Sequence, residues 1–253
     1  MPLTELHASN PILDDPAALA ARHRQEGCLL IRAAIDPDVL ADLADQAAAL
    51  LERWGVAHRA DGARATGAPL PAVDPNELQR VPALATLAEQ MMSGTDPIAH
   101  VAAKAFGCPM RLWPGARLHV ALPGDPGRAT PPHQDSSTLD WIGDYRRFWI
   151  ALGEIPFGDG GLALAAGSHR YRRLRMDELL DGNWCSAPMS LGDLLAFDLN
   201  LVHRSLPAIS DRIRIALTVI GSAQWDPRPS VAAEDAGQPA LGLCEQEASE
   251  FLR

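Results

Sequence analysis

Three residues in the second half of the chain, His133, Asp135 and His203, have the chemistry of an iron site. Two imidazoles and one carboxylate on one face of an octahedral ion leave three positions open, which is the ligand set of non-haem Fe(II) oxygenases. Side chains at i and i+2 of a β-strand point to the same face. We therefore expect Gln134 to face away while His133 and Asp135 bind one ion, and His203 to complete the set from a distant strand.

Two arginines follow the last histidine, and each has the chemistry to bind an acidic cosubstrate. Fe(II) alone reacts poorly with O₂, and a keto acid that chelates the iron supplies the remaining electrons. The far carboxylate of such a keto acid needs a cation, and the planar fork of arginine binds a carboxylate through two hydrogen bonds. Arg212 and Arg214 lie two apart in Asp211–Leu217, on the strand predicted to follow His203, so they share a face, and spacing alone does not choose between them.

The first part of the chain has the sequence signals of helices that would pack beside this site. Asp15-Pro16 and Asp36-Pro37 are typical helix starts, with aspartate as the N-cap and proline as the first helical residue. Glycines end both helices, at Gly27 and Gly55. Further helices are predicted at 82–92 and 97–106, and a short apolar strand at 28–31, so residues 1–110 are expected to be mostly helical.

The segment Val56–Asn76 interrupts this helical region and is rich in glycine, alanine and proline. A long loop inside a compact domain is either disordered or functional. We therefore interpret residues near 56–80 as a disordered loop or as a lid over the site. Its side chains mix polar and apolar types, so they do not decide between a carboxylate-bearing and a hydrophobic substrate; they include Arg59, Arg64, Leu70 and Val73.

Residues 111–222 change to short β-strand patterns separated by glycine- and proline-rich turns. Many short strands at this spacing indicate a sandwich or barrel. The prediction is a mainly β protein with flanking helices, in which residues 1–253 form a single domain and residues 223–253 a C-terminal tail. Strands are predicted at 117–122, 148–152, 162–165, 194–197 and 213–220.

Charge and composition exclude several classes of partner. The chain has 22 Lys+Arg against 32 Asp+Glu, a formal net charge of −10. Such a surface repels phosphate backbones, so we expect no nucleic-acid partner. No run of about 18 apolar residues is present, so no membrane span is expected. The sequence begins without a basic, apolar leader, and its four cysteines form no CxxC pair, which together predict a cytoplasmic protein with free thiols.

Several blocks together resemble proteins of the phytanoyl-CoA dioxygenase-like (PhyH) family. The likeness covers most of residues 20–222, and the order and spacing of the blocks agree. HxD alone is weak evidence, but HxD with the Gly-Ser-His turn, the last histidine and a following arginine is strong. The blocks are Leu122-Pro123-Gly124 through Pro132-His133-Gln134-Asp135, Phe148–Leu152, Gly160-Gly161-Leu162 through Gly167-Ser168-His169, and Gly192–Phe197 ahead of His203.

The resemblance implies a double-stranded β-helix (jelly-roll, cupin-like) core that binds Fe(II) and 2-oxoglutarate. It assigns His133, Asp135 and His203 to the metal. The carboxylate-binding arginine of such proteins usually lies eleven residues after the last histidine, which favours Arg214 over Arg212. Three weaker transfers place side chains near the cosubstrate: Trp149, Ser205 and Leu118. On this basis His119 is expected to face away from the pocket.

The expected activity is hydroxylation, or a related oxidation, of an unactivated C–H bond of a small molecule by O₂. Asp135 favours hydroxylation, because halogenating relatives have glycine or alanine at this position. The Ala/Arg-rich composition suggests bacterial secondary metabolism or amino-acid modification, by analogy only. The alternatives are a non-redox cupin-like protein that binds a metal or small ligand, a nucleic-acid demethylase and a pseudoenzyme. The sequence leaves the substrate and the oligomeric state open.

Overall fold

Two β-sheets and a layer of helices make up the part of the chain that the structure describes. In this computed structural model the described residues are 3–59, 63–65, 75–123, 129–137, 145–171, 174 and 183–223. The strands are β1 (Thr4–Glu5), β2 (Cys28–Ile31), β3 (Ala57–Arg59), β4 (Ala63–Ala65), β5 (Arg111–Leu112), β6 (Arg117–Ala121), β7 (Tyr145–Ala151), β8 (Leu162–Ala165), β9 (Trp184–Ser186), β10 (Leu194–Asp198), β11 (His203–Ser205) and β12 (Arg214–Ser222). The helices are α1 (Pro16–Glu26), α2 (Pro37–Arg53), α3 (Pro75–Leu78), α4 (Pro82–Ser93) and α5 (Pro97–Phe106).

The two sheets have the arrangement of a double-stranded β-helix, which confirms the predicted fold class. The major sheet has the order β2-β10-β7-β12-β5, with β6 also paired to β12. The minor sheet has the order β1-β9-β8-β11. All neighbouring strands are antiparallel except β1 and β9. A third pair, β3 and β4, forms a separate hairpin.

Alternation along the strands of the major sheet divides the core into two parts. On β7, Phe148 and Ile150 join the cluster that packs against the helices, whereas Trp149 and Ala151 join the cluster between the two sheets. This alternation follows from strand geometry, since successive side chains point to opposite faces. Each fully buried side chain such as that of Phe148 stabilises the fold by about 1.5–3 kcal/mol. The helices therefore cover one face of the major sheet and leave the other face to line the interior of the β-helix.

The helix ends agree with the sequence-based predictions. Asp15 Oδ1 accepts a hydrogen bond from the amide of Ala18 at 3.0 Å, which caps α1 and stabilises its first turn by about 1 kcal/mol. α1 ends at Gly27 with φ of 80°, and a Cβ atom there would lie 2.4 Å from Nδ1 of His169. Glycine is thus required at this position both by conformation and by the close approach of the Gly-Ser-His turn.

The predicted lid segment is described only in part. Residues 60–62 and 66–74, which include Leu70 and Val73, lie outside the described residues. Val56 and Ala57 are buried against the helices. Nη1 of Arg64 on β4 donates to Oδ1 of Asp211 at 2.7 Å, so this hairpin is attached to the turn before β12. A lid function for the whole segment stays a prediction.

The start of β7 and the C-terminal tail differ from the predictions in extent or in coverage. β7 begins at Tyr145, three residues before the predicted start at Phe148, and this extension includes Arg147. Residues 224–253, most of the predicted tail, lie outside the described residues. Within the described residues, no helix is long and apolar enough to cross a membrane.

Candidate active site

A backbone pair joins the two predicted histidine ligands. The amide of His133 donates to the carbonyl of His203 at 3.0 Å, and the amide of His203 donates to the carbonyl of His133 at 3.0 Å. Residues that exchange both hydrogen bonds lie directly opposite each other, with their side chains on the same face. The two imidazole rings consequently lie together, with their centroids 4.2 Å apart.

Asp135 adds its carboxylate to the histidine pair. Its Oδ1 lies 3.6 Å from Nε2 of His133 and 3.8 Å from Nε2 of His203. One ligand atom from each of the three residues lies within 4.8 Å of the others, a spacing that can hold a metal ion. The strand predicted for this segment is present only as the bridge at His133, because Asp135 begins a 3-10 turn over Asp135–Ser137.

Gln134 faces away from this group, as expected. Its side chain is buried and bonds to backbone groups elsewhere: Nε2 donates to the carbonyls of Tyr171 and Asn200, both at 2.6 Å, and Oε1 accepts from the amide of Leu174 at 2.9 Å. Gln134 thereby ties the segment that carries His133 and Asp135 to the turn before β11.

Both imidazoles are oriented by main-chain carbonyl groups. Nδ1 of His133 lies 2.9 Å from the carbonyl oxygen of Pro131, and Nδ1 of His203 lies 3.0 Å from that of Leu201. A carbonyl oxygen can only accept, so each Nδ1 carries a proton and each Nε2, the nitrogen left for a metal, points toward Asp135. Burial alone lowers the pKa of His133, but the hydrogen bond and charge of Asp135 raise it above its usual value. Burial lowers the pKa of His203 to about 4, so this imidazole is neutral near pH 7, as a ligand must be.

Arg147 fixes the third ligand, and sequence reasoning missed it. Its Nε donates to Oδ2 of Asp135 at 2.9 Å, which leaves Oδ1 toward the imidazoles. Burial by itself raises the pKa of the Asp135 carboxyl, but the charges of Arg147 and the neighbouring imidazoles hold that pKa well below its usual range. The available signal was parity, since Arg147 lies two residues before Trp149 on β7.

Arg214 is a buried cation at the other end of the sheet face that carries Arg147 and Trp149. Its Nε donates to the carbonyl of Gly160 at 2.7 Å, its Nη1 donates to the carbonyl of His119 at 3.3 Å, and its guanidinium carbon lies 5.7 Å from the ring centre of Trp149. Burial lowers the pKa of Arg214 to about 10, still far above neutrality. No described carboxylate lies within ion-pair distance of it, so its charge has no partner in the described protein.

The other arginine candidate has a different setting. Arg212 precedes β12, and its backbone pairs with Arg64 of the β3–β4 hairpin. Its amide donates to Oγ of Ser210 at 3.1 Å. Ser205, by contrast, lines a small cavity together with Arg214. The buried position and the shared cavity both favour Arg214 as the residue that binds the carboxylate.

The expectation for Leu118 is wrong. Leu118 lies opposite Leu217 on β12 and belongs to the cluster that packs against the helices, with Gln79 bonded to its backbone. The residue of β6 that faces the interior is His119, whose Nε2 lies 3.0 Å from Oγ1 of Thr218. Alternation correctly put the two side chains on opposite faces, but the pocket is on the side of His119.

His119 lies among the charged groups of the site. Although much of its surface is accessible, desolvation by the surrounding protein and the positive charges of Arg214, Arg147 and Arg117 together lower the pKa of His119 to about 3. His119 is therefore neutral near pH 7, and it separates Arg214 from the other two arginines without adding charge.

This donor set fits a divalent metal and an acidic chelator. Two imidazole Nε2 atoms and one carboxylate oxygen converge, and hard or borderline metals such as Fe(II) accept this combination. The guanidinium of Arg214 is buried and has no ion-pair partner among the described carboxylates, a setting that favours an anion such as the far carboxylate of a keto dicarboxylic acid.

Comparison with known proteins decides between a metal-binding barrel and an oxygenase. The sequence model of the phytanoyl-CoA dioxygenase (PhyH) family matches residues 23–216. This protein belongs to the phytanoyl-CoA dioxygenase family. As a member of that family it is a non-haem iron oxygenase that depends on Fe(II) and 2-oxoglutarate, and the triad required for this chemistry is present.

The proteins that this chain resembles include two hydroxylases and two enzymes of nogalamycin biosynthesis. The 1-deoxypentalenic acid 11-beta-hydroxylases of Streptomyces arenae and Streptomyces exfoliatus are 26% and 27% identical over 229 residues, with 79% of this chain and 77% of theirs covered. Among solved structures, the nogalamycin-biosynthesis epimerase SnoN is 22% identical with a TM-score of 0.61, over 90% of this chain and 92% of SnoN. The carbocyclase SnoK of the same biosynthesis is 19% identical with a TM-score of 0.62, over 95% and 94%. At these identities the structural likeness establishes the fold.

Proposed function

We propose that this phytanoyl-CoA dioxygenase-family enzyme hydroxylates an unactivated C–H bond of a small molecule in bacterial secondary metabolism. In such a reaction the substrate R–H, O₂ and 2-oxoglutarate become R–OH, succinate and CO₂. Two curated relatives are named as hydroxylases of a small organic acid in Streptomyces, which supports both the outcome and the metabolic setting. The observation that carries the proposal is the convergence of His133, Asp135 and His203.

The same proposal assigns the metal ligands. Nε2 of His133, Nε2 of His203 and Oδ1 of Asp135 would hold Fe(II). Bound iron with its chelating keto acid supplies the oxidising power that removes hydrogen from an unreactive carbon. The protein's own contribution is to orient these three atoms through the carbonyls of Pro131 and Leu201 and the guanidinium of Arg147, before any ion binds.

Arg214 would bind the distal carboxylate of 2-oxoglutarate. Hydrogen bonds to Gly160 and His119 hold the guanidinium in place, so its charge is available without reorganisation. The Cβ of an alanine at position 160 would lie 3.3 Å from Cβ of Arg214, so glycine there permits the close approach. Ser205, which lines the same cavity as Arg214, would bond the same carboxylate, and the Trp149 ring would exclude water from this end of the site.

The test begins with anaerobic addition of Fe(II) and 2-oxoglutarate to the metal-free protein. A visible metal-to-ligand charge-transfer band is expected in the wild type and not in His133→Ala. Arg212→Ala is the matched control, because it removes a charge near the site and should keep the band. After O₂ is admitted, the enzyme should form succinate and hydroxylated product in equal amounts from those candidate substrates that shift the band.

Two outcomes would contradict the proposal. Metal binding without the charge-transfer band would indicate a non-redox, cupin-like binding protein. Succinate release coupled to an epimerised, cyclised or desaturated product would retain the oxygenase class and exclude hydroxylation.

A further inference from the structure

A third arginine, Arg117, lies on the sheet face that also carries Arg147 and Arg214. On the major sheet Arg117 of β6 is opposite Thr218 of β12, and Thr218 is opposite Trp149 of β7 on its other side. Arg147 lies two residues before Trp149, so it shares that face. We call this face, formed by the inward side chains of β6, β12 and β7, the inner wall. Arg117 and Arg147 both belong to it at the end remote from Arg214.

The direction of Arg117 is fixed by its neighbours on β6. Leu118 packs into the helix-facing core, and His119 bonds to Thr218 on the inner wall. Because alternate residues share a face, Arg117 points to the side of His119. Its side chain is only partly buried, so a ligand inside the β-helix can reach it.

The two arginines differ in their partners. Arg147 donates to Asp135, whereas no described acceptor lies within hydrogen-bond or ion-pair distance of the Arg117 guanidinium. Burial and the nearby charge of Arg147 both lower the pKa of Arg117, and the one described carboxylate bonded to either arginine, Asp135, is bonded to Arg147. Such an arrangement is unfavourable unless an anion joins it.

A charge count for the loaded site leads to the same result. Fe(II), Asp135, Arg214 and dianionic 2-oxoglutarate together carry no net charge. Among the described residues of the inner wall, Arg147 and Arg117 then remain as positive charges, because His119 is neutral and Asp135 is already counted. In the partly desolvated interior of the β-helix, this surplus favours a substrate that brings negative charge.

Arg117 does not serve the same anion as Arg214. Arg117 is opposite Thr218, which lies four residues after Arg214 along β12, about 13 Å at the usual rise per residue. Arg214 is also held at its own end by bonds to Gly160 and His119. The anion at Arg117 is therefore a second one.

From this geometry we propose that Arg117, with Arg147 beside it, binds a carboxylate group of the organic substrate and so orients the substrate over the metal. The inference rests on the proposed function and adds the substrate class. A carboxylate presents two oxygens in a plane, which the fork of one guanidinium satisfies. A phosphate monoester needs further donors; β12 and β7 each lie between two strands that they pair with, and the amide of Leu118 on β6 is already bonded to Gln79.

The test measures binding rather than turnover, with matched probes on the anaerobic Fe(II)/2-oxoglutarate-loaded protein. Isothermal titration calorimetry compares octanoate, octanamide and octyl phosphate. The wild type is expected to bind octanoate at least about tenfold more tightly than octanamide, the size expected of one charge-assisted contact. Arg117→Met should bring this ratio near one, and Arg117→Lys should restore part of it. Arg53→Met, which removes an exposed arginine from the last turn of α2, should keep the wild-type ratio.

Each contrary result has a distinct meaning. Equal binding of acid and amide by the wild type, no binding of octanoate, or an unchanged ratio in Arg117→Met would overturn the proposal, and so would clear preference for octyl phosphate. The charge-transfer band separates this inference from the proposed function. If the wild type lacks the band, the proposed function fails. If only Arg117→Met loses it, Arg117 binds 2-oxoglutarate and the substrate assignment is wrong.

Discussion

The Nε of Arg147 donates to Oδ2 of Asp135 at 2.9 Å and so decides which carboxylate oxygen faces the two imidazoles. We expect Arg147→Met to weaken Fe(II) binding by about 10- to 100-fold, the usual effect of losing such an outer hydrogen bond. Anaerobic titration against a competing chelator measures this. Arg147→Lys, which keeps the charge, should recover part of the affinity, and Arg146→Met controls for the loss of a buried arginine on the opposite face. Equal effects of the Arg146 and Arg147 substitutions would exclude a specific positioning effect.

Asp135 offers the most direct test of the proposed hydroxylation. Asp135→Ala is expected to abolish substrate hydroxylation, because it removes a ligand and also leaves Arg147 without its counter-ion. Product analysis by mass spectrometry checks this, with circular dichroism to verify that the variant is folded. Full turnover in a folded Asp135→Ala variant would show that the carboxylate is not a ligand.

Arg214 and Arg212 offer an internal comparison for the cosubstrate. Arg214→Ala should raise the 2-oxoglutarate concentration required for the charge-transfer band by about 10- to 100-fold, corresponding to a lost hydrogen-bonded charge contact. Arg212→Ala should have little effect, since Arg212 precedes the strand and pairs through its backbone with the β3–β4 hairpin. Similar shifts for both variants would mean that the wrong arginine has been assigned.

The variant Leu118→Ala tests whether Leu118 supports the fold or the cosubstrate site. Leu118→Ala should lower the free energy of unfolding by about 2–5 kcal/mol, since it creates a cavity between the major sheet and the helices. Its affinity for 2-oxoglutarate should stay close to that of the wild type. Urea unfolding and the charge-transfer titration measure the two properties. A stable Leu118→Ala variant with weakened cosubstrate binding would restore the original assignment of Leu118 to the pocket.

His23 predicts a pH dependence of stability away from the metal site. Burial lowers its pKa to about 3, with help from Arg146 and His169, and its ring packs edge-on against Phe106. Between about pH 3 and 6.5 the unfolded chain binds a proton here that the folded chain does not. Stability should therefore decrease as pH falls through this range, by up to about 1.4 kcal/mol per pH unit.

The substitution His23→Gln isolates this contribution. Urea unfolding at pH 7 and pH 5 should show a smaller loss of stability in the variant than in the wild type. Identical losses would show that the His23 imidazole does not titrate on unfolding.

The helices could be predicted because their signals are local. Asp15-Pro16 and Asp96-Pro97 each combine an N-cap side chain with a proline in the first turn, and each aspartate accepts an amide bond from the third residue beyond it. The iron triad could also be predicted, since residue type and spacing are strong restrictions on ligand chemistry.

Alternation along β6 could not show which face of the sheet lines the pocket. A period of two separates Leu118 from His119, but which of them faces the pocket depends on where the helices pack, and that is a tertiary property. Arg147 was missed for a related reason. The apolar pattern predicted that β7 starts at Phe148. Its first three residues, which are polar and lie next to the iron site, were therefore not recognised as part of the strand.

The mutual amide–carbonyl bonds between His133 and His203 have a consequence for the life of the enzyme. Since peptide groups join these two distant stretches of polypeptide, we expect the two imidazoles to stay together whether or not an ion is bound. We expect iron lost to oxidation or to a cellular scavenger to be replaced by simple reloading, without passage through an unfolded chain.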